Sequence, residues 1–225
     1  MAAFMLRQPA TTLVKIISKR RGRDDLKPAY FWLSVYSMIG LLALTALILG
    51  GFGFIMYLAI PGGLIFAWHL WLVSKRQERK QVNVEIIATG VLSLSAPAAY
   101  WVGTGQYDPQ GWWLWILIWF QTTASIVYAY LRLGQRNQDK APDGDGRRKI
   151  GRRAAAYPSF NLASVLALGM FAVLPSFLSI PYLVQWLETM WGITHPAIGW
   201  SPTRIGIRQF VVSTLWTILF IIFWR

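Results

Sequence analysis

The chain has 225 residues, of which 55% are hydrophobic and only 14% are charged. A soluble domain carries about 25% charged residues, so this composition argues against a soluble protein and predicts a chain that crosses a membrane several times. The formal net charge of +13 would suggest nucleic acid as the partner of a soluble protein, but here the basic residues lie in short runs between apolar segments, and no recognition motif accompanies them. We therefore do not expect nucleic-acid binding.

Residues 1–28 form a basic N-terminal segment that lacks the long apolar core and the small-residue cleavage site of a signal peptide. Apolar residues between Leu13 and Ile17, flanked by basic ones, predict an amphipathic helix over residues 2–18. Pro9 is expected to begin or interrupt this helix. We expect the segment to lie at the membrane interface.

Six later segments are apolar enough to cross a bilayer as helices, which takes about 20 residues each. The predicted spans are residues 30–49, 54–73, 84–103, 112–133, 157–178 and 203–224. Residues 29–225 are therefore predicted to form one all-α domain, a polytopic integral membrane helix bundle. A short helix at residues 181–192 carries Glu188 and is too short to cross, so we expect it to be interfacial or re-entrant.

Basic residues are concentrated in three segments that four alternate crossings put on one side of the membrane: residues 7–27, 75–80 and 132–153. The positive-inside rule then predicts that loops 74–83 and 134–156 are cytoplasmic. The second of these loops is polar and glycine-rich, and we expect it to be a flexible, solvated linker.

Two aspects of the location stay open. The membrane is either a bacterial inner (plasma) membrane or an internal photosynthetic membrane. The side of the C-terminus is also ambiguous, because Arg204 and Arg208 favour a cytoplasmic start of the last span, whereas Arg225 favours a cytoplasmic end.

Polar residues recur at helical spacing in the third and fourth spans. Spacings of three and four keep each set on one helical face: Glu85, Thr89, Ser93, Pro97 and Tyr100 in the third span, and Gln121, Ser125, Tyr128 and Arg132 in the fourth. A short loop joins the two spans, so we expect them to pack antiparallel with these faces together as a polar seam. The seam either holds helices together by hydrogen bonds worth about 0.6–2 kcal/mol each, or lines a ligand cavity with Arg132 as an anion contact at its cytoplasmic mouth.

Pro97 lies in the second half of the third span and is expected to bend it. A proline removes one backbone hydrogen bond, which here leaves the carbonyl group of Ser93 without its usual partner. A hydroxyl group of Ser93 or Ser95 is close enough in sequence to compensate.

Residues that carry chemistry are sparse. The chain has no cysteine and only two histidines, His69 and His195, so no metal site and no cofactor are expected. For His69 we expect an interfacial or interhelical hydrogen bond. Asp139 and Asp143 in "DKAPDGD" have the Asp-x-x-x-Asp spacing with which prenyltransferases of the UbiA type hold magnesium on a diphosphate, but their proline- and glycine-rich surroundings favour a solvated linker. No catalytic residue is predicted.

Four segments together resemble the YwiC-like family of bacterial integral membrane proteins: "LRQPATTLVK", "SAPAAYWVGTG", "SIVYAYLRL" and "RIGIRQF". The resemblance implies a helical membrane fold but no particular reaction. Members of the family usually begin with further hydrophobic segments before the Arg-x-Pro stretch, so we expect a shortened member or a late start. Gln209 occupies a position where the resemblance leads us to expect an acidic residue, which weakens the case for a proton-exchanging carboxylate there.

Three functions remain open. The leading one is a non-enzymatic membrane protein that binds or moves a small or amphipathic molecule through the polar seam, with membrane lipids as its surroundings and partners. The second is an accessory subunit of a larger membrane complex, in which tryptophan-rich faces such as "WWLWILIWF" contact other subunits. The third is a degenerate UbiA-like prenyltransferase, against which the absence of paired aspartate motifs counts.

Overall fold

The computed structural model describes residues 5–19, 22–75 and 82–224, and this part of the chain forms helices and turns without any strand. The predicted all-α fold is therefore confirmed. The α-helices are α1 (Arg7–Ile17), α2 (Leu26–Leu49), α3 (Met56–Ser74), α4 (Val82–Ser93), α5 (Ser95–Thr104), α6 (Gln110–Arg136), α7 (Gly144–Met170), α8 (Ser179–Thr194) and α9 (Pro202–Phe223). Short 3-10 turns precede α2, α3 and α8 at Arg23–Asp25, Gly53–Ile55 and Ser176–Leu178.

Five helical stretches of the described residues are long and apolar enough to cross a membrane. They are Arg23–Leu49, Gly53–Ser74, Val84–Thr104, Gln110–Arg136 and Pro202–Phe223. These stretches coincide with the first four and the last of the six predicted spans. The chain is thus an all-helical membrane protein, since each of these stretches carries the apolar length that a bilayer requires.

The fifth predicted span, residues 157–178, differs from the structure at both ends. Helix α7 begins at Gly144, where the carboxylate of Asp143 accepts a hydrogen bond from the backbone N–H of Gly146 (2.8 Å) and so caps the helix. It ends at Met170, after which Ala172 adopts a left-handed φ of 55° and Val173 N–H bonds to the carbonyl of Leu168. Residues 171–178 therefore lie outside the helix.

The predicted linker at 134–156 is largely helical, so its predicted flexibility is wrong for most of its length. Only residues 137–143 lie between α6 and α7. The basic first half of α7 is held by side-chain contacts, because Arg147 donates from Nε to the carbonyl of Pro142 (2.8 Å) and from Nη1 to that of Thr194 (3.0 Å). These bonds and the Asp143 cap explain why a polar, glycine-rich sequence forms a helix here.

By clustering of contacts, the chain divides into two compact units, residues 1–118 and residues 119–225, with the boundary inside α6. Within the first unit, α1 packs on α2 and α3 and buries Pro9, Ala10, Leu13 and Ile16. This is the amphipathic arrangement that the sequence predicts, over the described part of residues 2–18. Arg7 Nε also donates to His69 Nε2 (3.3 Å), the kind of interhelical bond expected for that histidine.

The third span is divided where Pro97 is expected to bend it. Helix α4 ends at Ser93 and α5 begins at Ser95. The nearby hydroxyl groups bond to carbonyls of the preceding turn, Ser93 Oγ to Thr89 O and Ser95 Oγ to Leu92 O (2.8 Å each). The two serines thus bond to their own helical turns rather than to the Ser93 carbonyl that Pro97 releases.

In the second unit, α7 and α8 form an antiparallel hairpin. Its contacts follow one register: Gly151 lies against Ile193, Trp186 Nε1 donates to Ser159 Oγ (2.9 Å), and Gly169 lies against Ser176. Helix α8 is longer than the predicted 181–192 and pairs with α7 along its length. The chain therefore returns to the end of the hairpin from which α7 starts.

Replacement of Gly151 by alanine tests this packing. The new Cβ would lie 2.7 Å from Cγ2 of Ile193, whose β-branched side chain has little rotameric freedom. We expect the variant to lose about 1–3 kcal/mol of unfolding free energy, seen as a lower thermal midpoint of the purified protein in detergent.

The matched control is Gly206→Ala, because a Cβ at this helical glycine meets no described atom within 4 Å. In an Ile193→Ala background, where the space beside position 151 is larger, the further loss caused by Gly151→Ala should be smaller. Equal midpoints for Gly151→Ala and Gly206→Ala would contradict the hairpin packing.

Candidate functional site

The polar residues predicted on α6 have partners on α8 and α9 within the second unit. Gln185 on α8 donates from Nε2 to the carbonyl of Gln121 (2.9 Å) and to Ser125 Oγ (3.0 Å). Gln209 on α9 donates from Nε2 to the carbonyl of Ser125 (3.1 Å). A carboxylate could not donate this bond, so the amide at position 209 has a structural reason that an acidic residue would not satisfy.

One to two turns further along α6, at Tyr128, the contact with α8 includes a charged side chain, Glu188. Glu188 on α8 receives both Nε and Nη2 of Arg208 on α9, at 2.6 and 2.7 Å, and the hydroxyl of Tyr128 at 2.7 Å. The Glu188 side chain is 12% exposed and that of Arg208 is 35% exposed. One carboxylate therefore connects three helices by charge-assisted hydrogen bonds, which are stronger than neutral ones.

Among the described residues, Arg132 is the most deeply buried charge, with 1% of its surface exposed. Its Nη1 donates to the carbonyls of Gly192 (2.9 Å) and His195 (2.6 Å) at the C-terminal end of α8, and to Oε1 of Gln135 (3.0 Å). These acceptors are uncharged, although the end of a helix carries partial negative charge. Its Nη2 has no hydrogen-bond partner among the described residues.

Two indole rings surround these guanidinium groups. The guanidinium carbon of Arg132 lies 5.6 Å from the ring centre of Trp191 and 4.9 Å from that of Trp200. Arg208 lies 3.7 Å from Trp191, and Arg204 lies 4.1 Å from Trp200. All four distances are within the range of a cation–π interaction.

We call this group the arginine cluster; its members are Arg132, Arg204, Arg208, Glu188, Trp191 and Trp200. Within the described part of the chain, Glu188 is the one carboxylate hydrogen-bonded to any of the three arginines. The cluster therefore holds more positive than negative charge. Such an arrangement suits an anionic group, for which arginine offers planar, two-pronged hydrogen bonding.

Gly192 is required for the close approach of α6 and α8. A Cβ added there would lie 2.5 Å from Cε2 of Tyr128 and closer still to its hydroxyl. Only glycine leaves room for the tyrosine to reach Glu188.

The predicted seam residues of the third span have local bonds in the first unit. Thr89 and Ser93 donate to backbone carbonyls of α4, and the Tyr100 hydroxyl donates to Asp108 Oδ2 (2.9 Å). Glu85 is exposed in the first turn of α4. Their predicted role in lining a ligand cavity stays a prediction.

Sequence reasoning did not identify Gln185, Glu188 and Arg208 as site residues. A signal was present, because an acid in a short apolar helix and a base early in the next span each need a countercharge in a membrane. Because these residues are separated in the sequence from each other and from α6, no local pattern indicated that they would be partners.

The remaining candidates have structural partners. Asp143 of the Asp-x-x-x-Asp pair caps α7, and His195 stacks on Trp191 with ring centres 4.8 Å apart. Over the described ranges, no three acidic or histidine side chains come together as a metal site would require.

Breaking the Glu188 pair tests whether it holds the helices together. We expect Glu188→Gln to lower the unfolding free energy by about 2 kcal/mol, because Arg208 loses its countercharge but keeps partial access to solvent. In thermal unfolding this corresponds to a drop of roughly 5 °C.

Asp24→Asn, at an exposed position, removes the same charge and should leave the midpoint unchanged. The double variant Glu188→Gln with Arg208→Gln should lose less than the sum of the two single variants. If the losses of the two single variants simply added up in the double variant, the Glu188–Arg208 pair would make no net contribution to the unfolding free energy.

Residues 1–100 match the model of a family described as YwiC-like protein. No curated protein and no solved structure matches the chain. The matched region contains "LRQPATTLVK" and the first part of "SAPAAYWVGTG", whereas the arginine cluster lies beyond it. The chain is thus similar to the YwiC-like family over residues 1–100, and the resemblance that its sequence predicts is confirmed there.

Proposed function

We propose that this membrane protein binds or moves a small or amphipathic molecule, and that the arginine cluster holds the anionic group of that molecule. The observation that carries the proposal is Arg132, which is 1% exposed and whose Nη2 lacks a hydrogen-bond partner among the described residues. A buried donor without an acceptor costs about 1–3 kcal/mol. An oxygen of a carboxylate or phosphate would supply the acceptor.

The charge of the cluster supports the same conclusion. Of the three guanidinium groups, that of Arg208 alone is hydrogen-bonded to a carboxylate among the described residues, so an anion would reduce the repulsion between the three. Arg204 lies in the first turn of α9, where Ser201 caps the helix by accepting from the Arg204 N–H (3.2 Å). The positive end of the helix dipole adds to the attraction.

Trp191 and Trp200 suit the apolar body of an amphipathic ligand. Indole rings present a large apolar face and are typical of the membrane–water interface. The ligand class that fits both features is an amphiphile with a carboxylate or phosphate at one end.

The ligand proposal can be tested with dodecyl phosphate as the probe, added to the purified protein in an uncharged detergent. At about 100 times its dissociation constant a ligand stabilises a protein by about 2.7 kcal/mol, so we expect a clear rise in the thermal midpoint. Arg132→Gln and Arg204→Gln should each reduce this rise, because each removes a guanidinium group from the cluster.

Arg152→Gln is the matched control, since Arg152 is an exposed arginine of α7. It should respond to dodecyl phosphate as the unmodified protein does. A rise of equal size in all three variants would mean that the probe binds elsewhere, and the proposal would then fail.

We also propose that the cluster lies at the cytoplasmic end of the second unit. The basic residues of α7 follow α6 directly, and the positive-inside rule favours the cytoplasm for them. Arg132 near the end of α6 contacts Trp200, which precedes α9. The last span would then start in the cytoplasm, as Arg204 and Arg208 suggest, and end on the opposite side.

Cysteine labelling tests this orientation cleanly, because the chain contains no cysteine. In spheroplasts, a membrane-impermeant maleimide should label Tyr107→Cys and Trp224→Cys directly, but Asp139→Cys only after permeabilisation. Protection of Trp224→Cys together with Asp139→Cys would show that the last span runs in the opposite direction.

A further inference from the structure

The first unit contains a cavity of about 730 Å³ between α1, the start of α2 and the end of α3. Its volume lies in the range of about 300–1,000 Å³ that is typical of ligand pockets. The residues that line it all fall within residues 1–100. It is separate from the arginine cluster, whose members all belong to the second unit.

One wall of the cavity is the polar face of α1. Gln8, Thr11, Thr12 and Lys15 line it and follow each other at helical spacing, whereas Ala10, Leu13 and Ile16 are buried on the other face of α1. Helix α1 therefore presents hydroxyl, amide and ammonium groups to the interior of the cavity while its apolar side holds it in place.

The charge of the lining favours an anion. Among the described residues that line the cavity, Arg7 and Lys15 are basic and Asp25 is acidic. Arg7 Nε donates to His69 Nε2 (3.3 Å). This bond to His69 orients the Arg7 side chain at the edge of the cavity.

The opposite wall is aromatic. Trp32 and Tyr36 lie one turn apart on α2, and their rings are stacked with centres 5.4 Å apart. The cavity thus combines cationic and hydroxyl groups on one side with flat apolar surfaces on the other. A phospholipid has the same two parts, since its phosphate lies next to its glycerol and acyl groups.

We propose that this cavity binds an anionic phospholipid, with the phosphate at Arg7 and Lys15 and the start of the acyl chains against Trp32 and Tyr36. Helix α1 then clamps the lipid headgroup at the membrane surface. This inference does not depend on the ligand proposed for the arginine cluster.

The test uses the full-length protein in mild detergent, with native mass spectrometry to count bound phosphatidylglycerol and phosphatidylcholine. Phosphatidylglycerol should bind more tightly, because only its headgroup carries net negative charge. Arg7→Gln with Lys15→Gln should weaken phosphatidylglycerol binding by about 25-fold, since each basic residue near an anionic lipid contributes a factor of about five.

The matched control is Arg23→Gln with Lys27→Gln, which removes two charges from exposed positions of the same segment that do not line the cavity. It should change binding by less than about twofold. An equal loss in both double variants would show that only surface charge attracts the lipid, and would overturn the proposal.

Two further arms separate the remaining explanations. Thr12→Phe fills the cavity without changing any charge, and it should also abolish the preference for phosphatidylglycerol; unchanged binding would overturn the proposal even if the charge variant fails to fold. Inorganic phosphate should not displace the lipid, whereas displacement at millimolar concentration would identify free phosphate as the ligand instead. The loss caused by Arg7→Gln with Lys15→Gln should be the same in the unmodified protein and in an Arg132→Gln background, so any lipid that the arginine cluster holds is counted separately.

Discussion

Glu188 accepts hydrogen bonds from the side chains of two other helices, Tyr128 on α6 and Arg208 on α9, and the arrangement of the second unit depends on these bonds. Apolar helices in a membrane gain little from contact with each other rather than with lipid, so their relative positions are set by polar contacts and by small residues. An unpaired carboxylate that is only 12% exposed would be costly, and helices α8 and α9 are therefore fixed where Arg208 can reach it. The neighbouring bonds of Gln185 and Gln209 to α6 extend the same constraint.

Much of the fold could be predicted from the sequence because hydropathy is a local property. The apolar stretches that become α2, α3 and α9 need no information from elsewhere in the chain. The same is true of the amphipathic pattern of α1. The start of α7 is different, because Asp143 and the contact of Arg147 with Thr194 stabilise a helix in a segment whose composition is typical of a linker.

The candidate site could be predicted only in part. Helical spacing predicts that Gln121, Ser125, Tyr128 and Arg132 share one face of α6, since periodicity reports which residues share a face. It cannot report which other helix that face contacts. The partners found in the second unit are Gln185, Glu188 and Gly192 on α8 and Gln209 on α9, about 60 to 85 residues further along the chain, and no local pattern links them to α6.

The hydroxyl of Tyr128 occupies the space that a side chain at position 192 would need. Tyr128 of α6 therefore fits into the space that Gly192 leaves on α8. If either helix slid by a turn or rotated, the tyrosine would collide with the other helix. The contact that also brings the Gly192 carbonyl to Arg132 therefore resists sliding of these two helices. If the protein carries its ligand from one side of the membrane to the other, the moving joint must be somewhere other than between these two helices.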